Sequence, residues 1–178
     1  GDVYKRQVID SLPRWEYRFL RNALERDPGV DLQCLLFHPG MPTGFGQNYR
    51  RSFPKEMDQL APFDVIFVGD VGMGNGELSE ENCAMLKKLV QQQASGLVFL
   101  PGKRGRQLTL QDSPLADLLP VVLDAEKPNG LGTVNPSNLE LTNRGKDHWL
   151  TNLRGAGEPD REFWNRLPGF HWAAVVKK

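Results

Sequence analysis

The sequence predicts an α/β fold, a doubly wound and mostly parallel sheet with helices on both faces, and three observations lead there. Short apolar runs (CLLF, FDVIFVG and LVFL) have the length and continuity of strands buried on both sides. The segments between them carry helical spacing of apolar residues. Each run then ends in a loop rich in glycine, proline and polar residues, as strand–helix units require.

Composition agrees with this class and narrows the function. The 178 residues hold 22 basic and 22 acidic side chains, so the net charge is zero. That balance gives no long-range attraction to nucleic acid or to an anionic membrane. No apolar run approaches the ~20 residues that cross a bilayer. The two cysteines, Cys34 and Cys83, are too few for a disulfide scaffold and wrongly spaced for zinc. No metal and no cofactor is expected.

The elements follow in order. The opening GDVYKRQ lacks an initiator Met, and DVYKRQ is also the translation of a transposon end used to prepare sequencing libraries. Residues 1–7 are therefore read as a cloning or sequencing scar, and residues 8–178 as a single α/β domain cut at both ends. Val8 and Ile9 then read as the tail of a buried strand whose first half is missing. A helix opens at Ser11-Leu12-Pro13, with proline near the first helical position, where its missing N–H costs nothing. Trp15, Phe19 and Ala23 recur every four residues, and Leu20 and Leu24 widen that stripe, which predicts that this face meets the sheet. Asp27-Pro28-Gly29 ends the helix.

Val30 to Phe37 is the next strand, and residues 38–52 form a long polar loop of the kind that is often functional. A short helix over 54–60 leads to the strand at 63–69. Ser79 is placed to cap a helix from Glu80 to Ala94, with Leu78 and Cys83 as its staple and Gly96 as its breaker. Leu97 to Leu100 reads as a further buried strand. Ser113-Pro114 opens a short helix that Pro120 ends. Leu139 to Thr142 reads as a strand, Glu162 to Arg166 as a helix, and AAVVKK as a strand in progress.

Three loops then fall at strand C-termini, where doubly wound folds bind ligands: 10–12, 70–76 and 101–105. They offer Asp10, Arg14, Asp70, Gly72, Gly74, Lys103 and Arg104 as ligand-binding candidates. The glycines of the 69–76 loop can bring backbone N–H groups against a phosphate, but the spacing is not that of a nucleotide fingerprint. A turn using glycine for positive φ is the plainer reading. Lys103, Arg104 and Arg106 can hold an anion or form an ordinary basic turn. Cys83, in the first turn of a helix, is a candidate nucleophile, with His148 or His171 as its base. Cys34 sits among apolar neighbours and reads as packing.

Several segments carry a resemblance. SLPRWEYRFLRNAL, FDVIFVGDVGMG and ASGLVFLPGKRG, with SPLADLLPV and LELTNRGKDHWL behind them, resemble the class I glutamine amidotransferase-like domains of large bacterial membrane-anchored proteins. Such proteins often also carry a von Willebrand factor A-like region. The resemblance covers residues 8–176 and implies a flavodoxin-like sheet. It also implies a full-length protein attached to the bacterial inner membrane through segments outside this chain, with its other domains as partners.

Active members of that family place a nucleophilic cysteine in a sharp Gly-x-Cys-x-Gly turn. Here the turn reads Pro101-Gly102-Lys103-Arg104-Gly105, and Lys103 stands at about the cysteine's position. The resemblance therefore implies a non-catalytic binding or assembly module, soluble as a fragment. Two alternatives stand beside it: an amidotransferase or hydrolase that uses Cys83, and a phosphate or nucleotide site at Gly69–Gly76. For the turn itself, the expectation is that Lys103 or Arg104 pairs with Asp10 or Asp70 and closes the vestigial pocket.

Overall fold

A computed structural model describes residues 3–38, 46–153 and 160–177. The chain falls into two compact units, Gly1–Asn129 with Ala174–Lys178, and Gly130–Ala173.

The first unit is α/β. Its strands β1 (Tyr4–Asp10), β2 (Val30–Leu36), β3 (Val65–Val68) and β4 (Gly96–Phe99) form a parallel sheet in the order β2-β1-β3-β4. Between them run α1 (Trp15–Glu25), α2 (Met57–Leu60) and α3 (Glu80–Gln93). Because successive residues of a strand face opposite sides, β1 feeds two cores. Val8 joins Leu32, Cys34 and Leu36 under Tyr17 of α1, with Leu20 and Leu24 packed alongside. Ile9 joins Leu35, Ile66 and Val68 under Cys83, Leu86 and Leu89 of α3. Helices thus lie on both faces, as the apolar strand runs predicted.

Several expectations are corrected. The strand β1 does not lack its first half: Tyr4 to Gln7 pair with Val30 to Gln33, and Gln7 is fully buried. Tyr4–Gln7, within the segment 1–7 read as a scar, therefore lie in the sheet. The phase of α1 is also different. Trp15 and Phe19 are 69% and 68% exposed, and the inward stripe is Tyr17, Leu20 and Leu24. Tyrosine can sit inward because its hydroxyl donates to that of Tyr49 at 2.9 Å, which satisfies its polar end. The helix α3 ends at Ala94, which adopts the left-handed conformation at φ 54°, and Gly96 is already in β4. β4 is an edge strand and only half-buried.

Beyond β4, Arg106–Asp112 form a 3₁₀ helix that periodicity did not suggest, and the helix expected after Pro114 is a 3₁₀ turn at Ala116–Leu118. In the second unit, β5 (Leu131–Ser137) and β6 (Phe170–Ala173) pair antiparallel, with α4 (Asn143–Lys146) and α5 (Asp160–Arg166) between them. Leu139–Thr142 is not a strand; Thr142 caps α4 instead. The real strand β5 is exposed throughout, so it carries no alternating pattern to read. Of the AAVVKK segment, only Ala173 lies in β6, while Val176 bridges Leu123. The 38–52 loop lies partly outside the described residues.

Candidate functional site

The C-terminal ends of β1, β3 and β4 meet at one edge of the parallel sheet, where strand–helix loops gather in α/β folds. The first two strands deliver buried carboxylates there, Asp10 and Asp70. Asp10 accepts the Ser11 N–H at 2.8 Å and the Arg14 Nε–H at 2.8 Å. Arg14 also spans the crevice, donating to the carbonyls of Leu100 at 2.5 Å and Pro101 at 3.1 Å. Burial pushes the Asp10 carboxyl above its ordinary range, opposed by the charge and hydrogen bond of Arg14.

Asp70 meets the turn that follows β4. Its two oxygens accept the backbone N–H groups of Arg104 and Arg106, each at 2.8 Å. Gly102 permits this approach, since a Cβ there would lie 2.5 Å from Asp70 Oδ2. The side chains of the same two arginines turn to a third carboxylate, Glu77, at 3.3 Å for Arg104 and 2.9 Å for Arg106. Glu77 also accepts the Gly72 N–H at 2.9 Å, and its side chain is 1% exposed. Thr109 Oγ completes the clasp, accepting the Met73 N–H and donating to the Arg106 carbonyl, both at 2.8 Å.

The glycine-rich loop has two kinds of glycine. Gly74 and Gly76 adopt positive φ around Asn75, as the turn reading predicts. Gly69 and Gly72 serve close packing: a Cβ on Gly72 would lie 2.1 Å from the Arg106 carbonyl oxygen. Chemically, the edge is a neutral cluster of three carboxylates and three guanidinium groups. Asp10, Asp70 and Glu77 each accept at least one backbone N–H, so the donors that would hold an anionic ligand are already engaged.

The structure brings together Asp10, Arg14, Asp70, Gly72, Gly74 and Arg104. The expected pairing of Lys103 or Arg104 side chains with Asp10 or Asp70 does not form among the described residues: Asp10 pairs with Arg14, and Arg104 reaches Asp70 only through its backbone N–H while its side chain pairs with Glu77. Lys103 is exposed and makes no ion pair among the described residues. Glu77 went unread because neither loop marks it in sequence. The three-cation cluster was the available signal that a buried acid lies opposite.

The remaining candidates lie elsewhere. Cys83 is fully buried in the α3 core, and burial pushes its thiol up, with the Ser113 hydroxyl opposing. No hydrogen bond among the described residues joins it to an imidazole. Cys34 is likewise buried under α1, with its thiol raised by burial. His148 and His171 belong to the second unit. The His148 ring accepts the Leu150 N–H at 3.2 Å and stacks on Trp149, while the His171 ring faces the Thr133 carbonyl at 3.3 Å. Two further groups at the sheet edge were not anticipated. Ser11 Oγ and His38 Nδ1 are buried without a hydrogen-bond partner among the described residues, at neighbouring strand ends joined by the His38 N–H to Ser11 carbonyl bond.

Among the described residues no cluster of His, Cys, Asp or Glu is placed to hold a metal, and no helix is long and apolar enough to cross a membrane. Comparison of the chain with protein-family models, with curated proteins and with solved structures finds no match.

Proposed function

We propose that this chain is a flavodoxin-like, glutamine amidotransferase-like domain that has lost catalysis and acts in binding or assembly within a larger membrane-attached protein. One observation carries the reading. The turn after β4, where such enzymes keep their nucleophile, has no cysteine, and its Arg104 and Arg106 N–H groups are bound by the protein's own Asp70. A thioester needs a thiolate and a free set of donors for the developing oxyanion. This turn supplies neither.

The strand order β2-β1-β3-β4 supports the flavodoxin-like assignment, and the burial of both thiols argues against a displaced nucleophile. The test is ammonia and glutamate release from glutamine, with thiol alkylation run beside it. No release is expected, and both thiols should react only in denaturant. Glutamine-dependent release abolished by Cys83→Ala would overturn the proposal. Inorganic phosphate titrated calorimetrically should give no saturable heat. Saturable binding lost in Gly74→Val would instead place a phosphate site at the glycine-rich loop.

A further inference from the structure

The outer face of α1 combines exposed aromatic rings with unpaired positive charge. Trp15 and Phe19 stand largely exposed with their rings stacked, centroids 5.9 Å apart, opposite the inward Tyr17, Leu20 and Leu24. Two large aromatics displayed together on one surface helix mark a contact surface. The charges around them say what kind of contact it is. At 3.6 residues per turn, Arg18, Asn22, Trp15, Arg26 and Phe19 fall in that order across a stripe roughly 100° wide. That stripe contains no carboxylate. The acids of the helix stand on its flanks and are already engaged, Glu16 by Arg14 at 3.6 Å and Glu25 by Arg21 at 2.9 Å.

The two arginines of the stripe keep their charge. Neither Arg18 nor Arg26 forms an ion pair among the described residues. Arg18 lies over the Trp15 ring at 5.7 Å, so guanidinium and indole are presented together. A stacked guanidinium still offers its in-plane N–H groups to an oxyanion. We propose that this face rests on an anionic phospholipid surface, with the rings at headgroup level and the arginines on lipid phosphates. Each residue type suits that occupant for its own reason. Aromatic rings gain from the boundary between water and hydrocarbon, Trp above all. Each arginine near an anionic surface raises partitioning about fivefold, an effect that decays within a Debye length. At physiological salt that length is ~8 Å, half the ~16 Å of this 11-residue helix. The local patch therefore counts, and the zero net charge of the whole chain does not oppose it.

A face this short binds weakly by itself. It serves as a second contact for a protein already held at the membrane, where nearness raises the effective concentration. That use rests on the membrane-attached reading proposed above. The contact itself rests on α1 alone and is independent of the state of the crevice.

Co-sedimentation of the whole chain with lipid vesicles tests it. Pelleting is expected with vesicles of equal parts phosphatidylcholine and phosphatidylglycerol at millimolar lipid, and not with phosphatidylcholine alone. Arg18→Gln combined with Arg26→Gln should weaken binding about 25-fold, the product of two fivefold effects. Trp15→Ser combined with Phe19→Ser should abolish it. Trp149→Ser removes a comparably exposed ring from the second unit and should leave binding unchanged. All these positions are exposed, so unchanged far-UV circular dichroism confirms that each variant is folded. A wild-type chain that stays in the supernatant would overturn the proposal and leave the face to a protein partner. Binding that survives loss of both rings, or that is as tight to neutral vesicles, would overturn it equally. Glutamine release is read in a separate assay, so failure here leaves the non-catalytic reading standing.

Discussion

Asp70 and Glu77 do most to hold the sheet edge together, because each ties a backbone N–H of one loop to a group of another. Removing Glu77 takes the carboxylate from Arg106, itself mostly buried, and leaves its guanidinium only the Met73 and Gly74 carbonyls. Glu77→Ala is expected to cost about 3–5 kcal/mol in urea denaturation, the range for an abandoned buried charge. Lys103→Ala should change stability by less than about 0.5 kcal/mol, since that side chain is exposed. Equal effects would place the clasp elsewhere. Asp10 makes a prediction in pH. Its carboxyl binds the proton more tightly folded than unfolded, so its contribution falls as pH rises from 3.8 through the folded value. The stability of wild type relative to Asp10→Asn should therefore decline across that window, and a difference that grows with pH would show the Arg14 attraction to dominate. At this scale the sequence announced the cations but not their partner. Glu77 lies 27 and 29 residues from the arginines that it binds. Only the path of the glycine-rich loop joins them.

Elements were legible where a local device fixes them. Ser79 accepts the Asn82 N–H while the Asn82 side chain accepts the Ser79 N–H, a reciprocal cap readable from residue types alone. The phase of α1 was not legible, because two stripes compete on that helix and the larger aromatics lie on the outer one. Hydrophobic size predicts Trp15 inward; the Tyr17–Tyr49 hydroxyl pair and the two leucines decide otherwise. Tyr17→Ala is therefore expected to cost about 3–5 kcal/mol through lost burial and a cavity. Trp15→Ala should stay within about 0.5 kcal/mol. Thermal or urea unfolding of the two variants measures both, and a large loss at Trp15 would return the helix to the phase that size alone suggests. β5 was missed for the opposite reason: with every residue exposed, it has no pattern to betray it.

At the scale of the whole molecule, the second unit is inserted near the end of the first, and the geometry of the junction makes a further prediction. Chain returning from β6 rejoins the first unit through Val175, whose carbonyl accepts the Asp124 N–H at 2.8 Å, and through Lys177, whose N–H donates to the Val122 carbonyl at 2.8 Å. The insertion begins and ends side by side, because Leu131 is paired with Ala173 across the β5–β6 ladder. Paired residues of an antiparallel ladder lie roughly 5 Å apart, a gap that two residues span. Among the described residues, both cores around the parallel sheet are built from the first unit. Replacing Gly130–Ala173 by two glycines should therefore leave that unit folded. Cys34 and Cys83 report on it directly, one buried beneath α1 and the other within α3. In the shortened chain both thiols should stay protected from alkylation under native conditions and become reactive in urea together, near the midpoint at which they react in the full chain. Thiols that react before urea is added would show that the parallel sheet needs the inserted unit to fold.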